Sequence, residues 1–382
     1  MLYFIMQNSV KKGKRMKFSI NQSALYNMLT TVNKAVSPRS LNPALSGVLI
    51  DAQENEVSFR ATDLELSIQA SGPALIEEDG KALLPAKLLT DICSTLPDEA
   101  VNIEVSEEKA EITCANSNFN IRTLNATDYP EFPKVETNEK VTLPFKELSQ
   151  MIRKVARMTA RDDSTPIMQG VNINVAGNNI ELTAMDGYRF CVANSTIETD
   201  STNDFSAVIS GAFLLDIASL KGDIDKTTIS LSENQVVVEC NDIVFINRRI
   251  AGTFPNYKSV MPQNQTVKAK INIKQFAEVV RRISVLSVNS QVLTMKFDPS
   301  ASNINLSGSA ADVGSCDESI NASFEEGTDE FQVLFNCNYV LDGLSCFDCD
   351  EIIFEAETNT KPGIFKDEKG EITYALGPID PK

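Results

Sequence analysis

Histidine and tryptophan are both absent from the 382 residues. Without histidine there is no Ser-His or Cys-His nucleophile pair, no imidazole base and no His-containing metal site, which leaves carboxylates and lysine for any catalysis. Tryptophan's absence, with aromatics at 7%, removes the strongest base-stacking platform. No apolar run is long enough to cross a bilayer. The opening MLYFIMQNSVKKGKR places apolar residues before basic ones, the reverse of a secretory signal. Residues 1–15 therefore read as an extension ahead of a patterned segment that begins at Met16. A disulfide framework is also missing. Cys93, Cys114, Cys191, Cys240, Cys316, Cys337, Cys346 and Cys349 are scattered, mostly in apolar runs, and read as reduced, buried small hydrophobes of a cytoplasmic protein. Cys346 and Cys349 form a CxxC, but no second pair or histidine accompanies it to favour zinc or redox chemistry.

What is present is a pattern written three times. A chain of 382 residues exceeds one ordinary domain. KFSINQSALYNMLTTVNKAV, KVTLPFKELSQMIRKVARMT and VKAKINIKQFAEVVRRISVL each read as an alternating strand followed by an amphipathic helix. Their helical stripes are Leu25, Met28, Leu29 and Val32; Leu148, Met151, Ile152 and Val155; and Phe276, Val279, Val280 and Ile283. All three follow i, i+3, i+4, i+7, one buried face. SGVLIDAQENEVSFRATDLELSIQA, QGVNINVAGNNIELTAMDGYRFCVA and TMKFDPSASNINLSGSAADVGSCDESI read as antiparallel meanders. ALLPAKLLTDICSTL, AVISGAFLLDIASL and QVLFNCNYVLDGLSC each read as a strand entering a second helix, with Asp91, Asp216 and Asp342 aligned. Pro130 and Pro255 follow strands at equivalent joints and mark linkers. The expected fold is α+β: three domains, 16–137, 138–263 and 264–382, each β-α-βββ written twice, with helices on one face of antiparallel sheet.

The formal net charge is −17, which argues against a polyanionic partner until its distribution is considered. On a helix advancing 100° per residue, Arg153, Lys154 and Arg157 fall at roughly 140°, 240° and 180° from Leu148, opposite the core. Arg281, Arg282 and Lys34 occupy matching offsets in the other repeats, while IEEDG, VSEEKAE, ASFEEGTDE and FDCDE sit at turns and strand ends. A basic face repeated on the first helix of each domain suits contact with a phosphate backbone, screened from distant acids beyond about 8 Å. With no helix-turn-helix, zinc finger or RNP motif, such contact would be sequence-independent and salt-sensitive.

SPRSLNPALSGVLI, ATDLELSI, LTAMDGYRF, AGTFPNYKSVMP and the terminal YALGPIDPK, in this order and spacing, give a chain that from Met16 onward resembles the bacterial DNA polymerase III beta subunit, the sliding clamp. The resemblance implies a head-to-tail homodimer closing a six-domain ring around double-stranded DNA, its helices lining the hole. It implies no catalysis, no cofactor and no membrane. A peptide pocket between the second and third domains would receive the polymerase catalytic subunit, the clamp loader and other clamp-motif proteins, each through a segment bearing glutamine and large apolar side chains. Matched residue by residue, its walls would be Met168, Met185, Gly187, Tyr188, Arg189, Phe190, Pro255, Val260, Ala375, Leu376, Pro378 and Ile379. Arg39 matches a basic loop position and joins Lys34, Arg153, Lys154, Arg157, Arg161, Arg281 and Arg282 as expected DNA contacts. Phe119 and Ile121 would meet Val285 and Leu286 at the ring joint. The sequence departs from the family pattern at Ser259, where a basic residue is common, at Gly377, where a larger apolar one is usual, and in its longer, more acidic IDPK tail.

Two rival readings remain open at this level. One is a metal-dependent nuclease using Asp162 and Asp163, or Asp348 and Asp350. The other is a scaffold that binds peptides but not DNA.

Overall fold

The computed structural model describes residues 15–106, 108–162, 164–197, 204–262, 264–286, 291–310, 314–326 and 328–380. Residues 1–14, Asp163 and the last two residues of the IDPK tail, all part of the sequence expectations, lie outside them.

The β-α-βββ pattern recurs six times, with one short additional strand. The first repeat runs β1 (Arg15–Asn21), α1 (Gln22–Val32), β2 (Gly47–Gln53), β3 (Glu56–Thr62), β4 (Ser67–Pro73), the additional β5 (Leu75–Glu78), β6 (Gly80–Pro85), α2 (Ala86–Thr95), β7 (Ala100–Ser106), β8 (Lys109–Cys114) and β9 (Ser117–Arg122). The second runs β10 (Glu139–Pro144), α3 (Phe145–Val155), β11 (Gly170–Ala176), β12 (Asn179–Met185), β13 (Arg189–Thr196), β14 (Phe205–Ser210), α4 (Gly211–Ala218), β15 (Lys226–Leu231), β16 (Gln235–Cys240) and β17 (Ile243–Arg248). The third runs β18 (Val267–Asn272), α5 (Ile273–Leu286), β19 (Val292–Asp298), β20 (Asn303–Ala310), β21 (Gly314–Phe324), β22 (Phe331–Asn336), α6 (Cys337–Leu344), β23 (Glu351–Ala356), β24 (Gly363–Lys366) and β25 (Ile372–Leu376). Strand β1 begins at Arg15, one residue ahead of the Met16 boundary expected from the sequence.

Helix starts are fixed locally. The Asn21 side chain accepts the Ser23 N–H at 2.9 Å, and Asn336 accepts the N–H groups of Asn338 and Tyr339. Asparagine is suited to this role because its carbonyl reaches an otherwise unpaired first-turn donor. The expected stripes are buried in α3 and α5; in α1, Leu25, Leu29 and Val32 are buried while Met28 is half-buried. Within each repeat the two helices pack on each other, α1 on α2, α3 on α4 and α5 on α6.

The sheets do not respect the sequence repeats. The structure divides into two compact units: one holds the chain up to Thr142 together with Leu220–Arg248, the other holds Leu143–Ser219 and the chain from Arg249 onward. The first unit has a five-stranded sheet ordered β5-β1-β7-β8-β9 and an eight-stranded sheet ordered β10-β15-β16-β17-β4-β3-β2-β6. In the latter, β17 of the second repeat pairs with β4 of the first, Phe245 opposite Ile68. The second unit has a twelve-stranded sheet ordered β14-β11-β12-β13-β25-β24-β23-β18-β21-β20-β19-β22. Here β13 of the second repeat pairs with β25 of the third. In each half-sheet the first strand of one module joins the last three strands of the other, as β1 joins β7-β8-β9, and the β17–β4 and β13–β25 pairings remove the exposed ladders at those two joints.

The second unit's core is aromatic. Phe354 lies 4.7 Å from Phe297, 5.0 Å from Phe365 and 6.3 Å from Phe335, centroid to centroid. A Cβ on Gly363 would lie 2.7 Å from Phe335 Cζ and 2.8 Å from Phe354 Cε2, so this strand position must be glycine for the rings to close over it.

Two of the cysteines depart from the buried reading: Cys316 is half-exposed and Cys349 exposed, while the other six are buried, and all eight are free thiols. Cys316 lies near the start of β21, whose first residues are mostly exposed, and Cys349 in the exposed turn before β23. No described helix is long and apolar enough to cross a membrane.

Candidate functional site

The TAMDGYRF stretch forms a strand, a tight turn and a second strand. Asp186 organises the turn: its Oδ1 accepts the N–H groups of Tyr188 at 3.0 Å and Arg189 at 3.1 Å. Gly187 has φ +88°, in the left-handed region, and a Cβ there would meet nothing within 4 Å. Glycine is required here by backbone conformation and not by space. Across the sheet, Arg189 faces Leu376 and Phe190 faces Ala375.

Because side chains alternate along a strand, the two faces of this junction differ. On one face, Met185, Phe190, Val192, Ile364 and Ala375 form an apolar cluster, with Met168, Phe254, Tyr257 and Met261 packed half-buried against it. Phe190 and Tyr257 lie 5.3 Å apart, and the Tyr257 hydroxyl donates to Glu181 at 2.9 Å. Pro255, Pro378 and Ile379 are half-buried, and Val260 is exposed. On the other face, the buried Arg189 guanidinium pairs with Asp186 at 2.9 Å and with Asp342 on α6 at 2.7 Å, and lies 4.2 Å over the Tyr339 ring. Burial opposes its charge, but Tyr374, Asp342 and Asp186 outweigh burial and hold its pKa above the ordinary arginine value. Tyr188 is 69% exposed and leans on Tyr339 at 6.2 Å.

Of the expected pocket residues, Met168, Met185, Phe190 and Ala375 meet in the apolar cluster and Gly187, Tyr188 and Arg189 form the turn at its edge, while two placements differ from expectation. Leu376 is completely buried and stands outside the apolar cluster, because strand alternation turns it away from Ala375. Arg189 is consumed by its ion pairs and acts as a support beneath the wall. Phe254, Tyr257 and Met261 were missed, although their i, i+3, i+7 spacing in AGTFPNYKSVMP carries the signal. Gly377 stays close to the turn, its N–H donating to Tyr188 O at 2.8 Å.

The basic residues behave less uniformly than the helical wheel predicts. Helix α3 stops at Val155 and tightens into a 3-10 turn over Ala156–Met158, so Arg157 lies past the α-helix; Lys34 likewise sits in a 3-10 turn over Asn33–Ala35. Arg153 donates to the Ala218 carbonyl at the end of α4. Lys154 is half-buried and pairs with Asp348 at 2.6 Å. Arg282 grips Glu318 through two bonds of 2.8 and 2.7 Å, which pushes that carboxyl below its ordinary pKa. The expected separation of charge by element is thus incomplete, because acids from sequence-distant loops and strands reach the helix face. Arg39, Arg157, Arg161 and Arg281 are exposed and make no ion pair among the described residues.

Among the described strands, β5, β6, β9, β10, β14 and β22 end their sheets, and two open edges lie beside the residues expected at the joint. Strand β9 has β8 as its sole partner, and β21 pairs with β20 along Gly314–Asn321 but meets β18 only at Ala322–Phe324. On β9, Phe119 is half-buried and Ile121 buried; at the end of α5, Val285 is 70% exposed and Leu286 half-buried. Among the described residues, no group of three or more Asp, Glu or Cys side chains is placed to hold a metal, so the carboxylates proposed for a nuclease form no metal centre. Asp162 accepts from Ser164, Asp348 is paired with Lys154, and the Asp350 carbonyl accepts the Ile273 N–H.

Six β-α-βββ modules whose sheets run on from one repeat into the next define the DNA-clamp fold. The chain belongs to the DNA polymerase III beta subunit family, the sliding clamps: residues 16–133 match the family's N-terminal domain, 142–256 its central domain and 258–376 its C-terminal domain. It is 30% identical to the beta sliding clamp of Staphylococcus epidermidis over 375 residues, covering 95% of this chain and 99% of that one. It resembles the solved sliding clamp of Bacillus subtilis, with a TM-score of 0.88 and 27% identity over 96% of this chain and all of that one. It also resembles a clamp from Bartonella birtlesii, solved bound to griselimycin, with a TM-score of 0.87 and 25% identity over 96% of this chain and all of that one. The protein is a non-catalytic sliding clamp that confers processivity on a DNA polymerase in replication. That membership overturns the nuclease and DNA-independent scaffold readings.

Proposed function

We propose that two copies associate head to tail into a ring around double-stranded DNA in the cytoplasm, and that the ring tethers its partners through the apolar pocket. The observation that carries this reading is an open strand edge beside each half of the expected joint, β9 carrying Phe119 and Ile121 and β21 packed against α5, which carries Val285 and Leu286. Strand β9 and the free part of β21 are both antiparallel ladders lacking a second partner, and a partner copy supplies each with the other. Phe119 and Ile121 of one copy would then cover the exposed end of α5 at Val285 and Leu286 of the other.

DNA contact falls to Arg39 and Arg281 first, since these cations are not committed to acids within the chain, and Arg157 and Arg161 face duplex phosphates only while no partner segment covers them. Lys34, Arg153, Lys154 and Arg282 are supporting contacts. Such contacts hold phosphates without reading bases, so the clamp slides. The pocket takes a segment with glutamine and large apolar side chains from the polymerase catalytic subunit, the clamp loader or another clamp-motif protein. The apolar cluster around Phe190 supports this, as does the ligand-bound clamp from Bartonella birtlesii. Affinities near 1 μM, about −8 kcal/mol, suit exchange among partners.

The test is solution molar mass combined with small-angle scattering. The wild-type chain is expected as a dimer with a central hole. Val285→Glu places a charge in the joint and is expected to weaken the dimer by about 100-fold, as for a central interface residue. A wild-type monomer at micromolar concentration, or a Val285→Glu dimer of unchanged strength, contradicts the joint.

A further inference from the structure

We propose that a basic cleft adjoining the pocket receives an acidic segment flanking the apolar motif of the docked partner; this rests on the pocket being a peptide-docking site. The cleft, about 670 Å³, lies among the 3-10 turn after α3, the first turn of α4 and helix α6. Its floor is apolar, formed by Ala156, Met158 and Leu215, and its rim carries Arg157 and Arg161. Both arginines are exposed, and neither has an ion-pair partner among the described residues. Asp342 is the one acid lining the cleft, and its Oδ2 is held by Arg189 at 2.7 Å. Asp162, next in the chain after Arg161, is turned to Ser164, whose N–H donates to it at 3.0 Å. The N-terminal turn of α4 adds the positive end of a helix dipole. Two guanidinium groups and a helix N-terminus thus converge on a concavity that no carboxylate of the cleft neutralises.

Continuity selects the occupant. Asp342 belongs both to this cleft and to the ion pair supporting Tyr188 at the pocket edge. Gln169 lines the cleft, and its chain neighbour Met168 packs on the pocket cluster. A peptide anchored by apolar side chains in the pocket therefore runs into the cleft over a single residue step of wall. The cleft is the size of a ligand site and fits a few extended residues, which a rigid duplex cannot match. Carboxylates are the side chains that complement the arginine rim.

The test uses the full chain and labelled peptides read by fluorescence anisotropy. The core peptide bears one glutamine and large apolar residues. Extended forms add three glutamates, or three glutamines, at either end. One of the glutamate extensions is expected to bind about fivefold tighter than the core at low salt, from two exposed ion pairs. The gain should vanish near about 0.5 M salt, be absent from both glutamine forms, and fall to near unity in Arg157→Ala/Arg161→Ala. A core peptide that binds while neither glutamate extension adds affinity overturns the cleft and leaves the pocket standing. A core peptide that does not bind overturns the docking reading and this inference with it. A single-stranded oligonucleotide that binds through Arg157 and Arg161, with no effect of the glutamates, assigns the cleft to nucleic acid and overturns the proposal.

Discussion

Replacing Arg189 with alanine is expected to lower stability by about 3 kcal/mol and to abolish peptide docking. The side chain is 6% exposed and satisfies Asp186, itself 12% exposed, and Asp342, which is 50% exposed. Removing the cation strands one nearly buried carboxylate, and that penalty exceeds the loss of an ordinary surface pair. It also removes the cation under which Tyr339 sits, so the Tyr188 edge of the pocket loses its support. Arg189→Lys should recover little, because a single ammonium cannot reach both carboxylates with the flat, forked geometry of guanidinium. Asp342→Asn should be milder, as that carboxylate keeps access to water. Denaturant midpoints and peptide anisotropy measure the two consequences separately. An Arg189→Ala variant with the wild-type midpoint contradicts the assignment of this residue as a buried strut.

The second large effect is expected at Phe354. This ring is fully buried between Phe297, Phe335 and Phe365, with the Phe297 pair stacked at an interplanar angle of 17°. Phe354→Ala should cost about 3 to 5 kcal/mol, combining lost transfer energy with a cavity that flat neighbouring rings collapse into poorly. Phe354→Leu should recover much of that by refilling volume. The measurement is a urea titration: an unfolding midpoint for Phe354→Ala within error of wild type contradicts the core described above.

The order of elements was legible because each of the six modules announces itself locally: an alternating strand, then a helix stripe such as Leu148, Met151, Ile152 and Val155, then strands broken by turns. The Asp186-Gly187 turn was equally plain, since its glycine answers a local conformational demand. What the sequence concealed is long-range. Pairing of β17 with β4 and of β13 with β25 joins segments of different repeats, and nothing local marks which edges meet. The helical wheel assumed that every exposed cation is available. Lys154 and Arg282 had found Asp348 and Glu318, and Arg157 had passed beyond the α-helix into a tighter turn. Leu376 was misplaced for the simpler reason that neighbouring strand residues point to opposite faces, so a contiguous motif cannot all line one pocket.

Encirclement is the central claim, and retention on DNA tests it most directly. The protein, loaded onto a closed circular plasmid with its loader, is expected to remain bound at about 1 M salt, where phosphate contacts are screened within about 3 Å. A single restriction cut should then release it, since a ring slides off a free end. Release by salt from the intact circle, or equal retention on circular and linear DNA at that salt, would mean that surface attraction and not closure holds the protein in place.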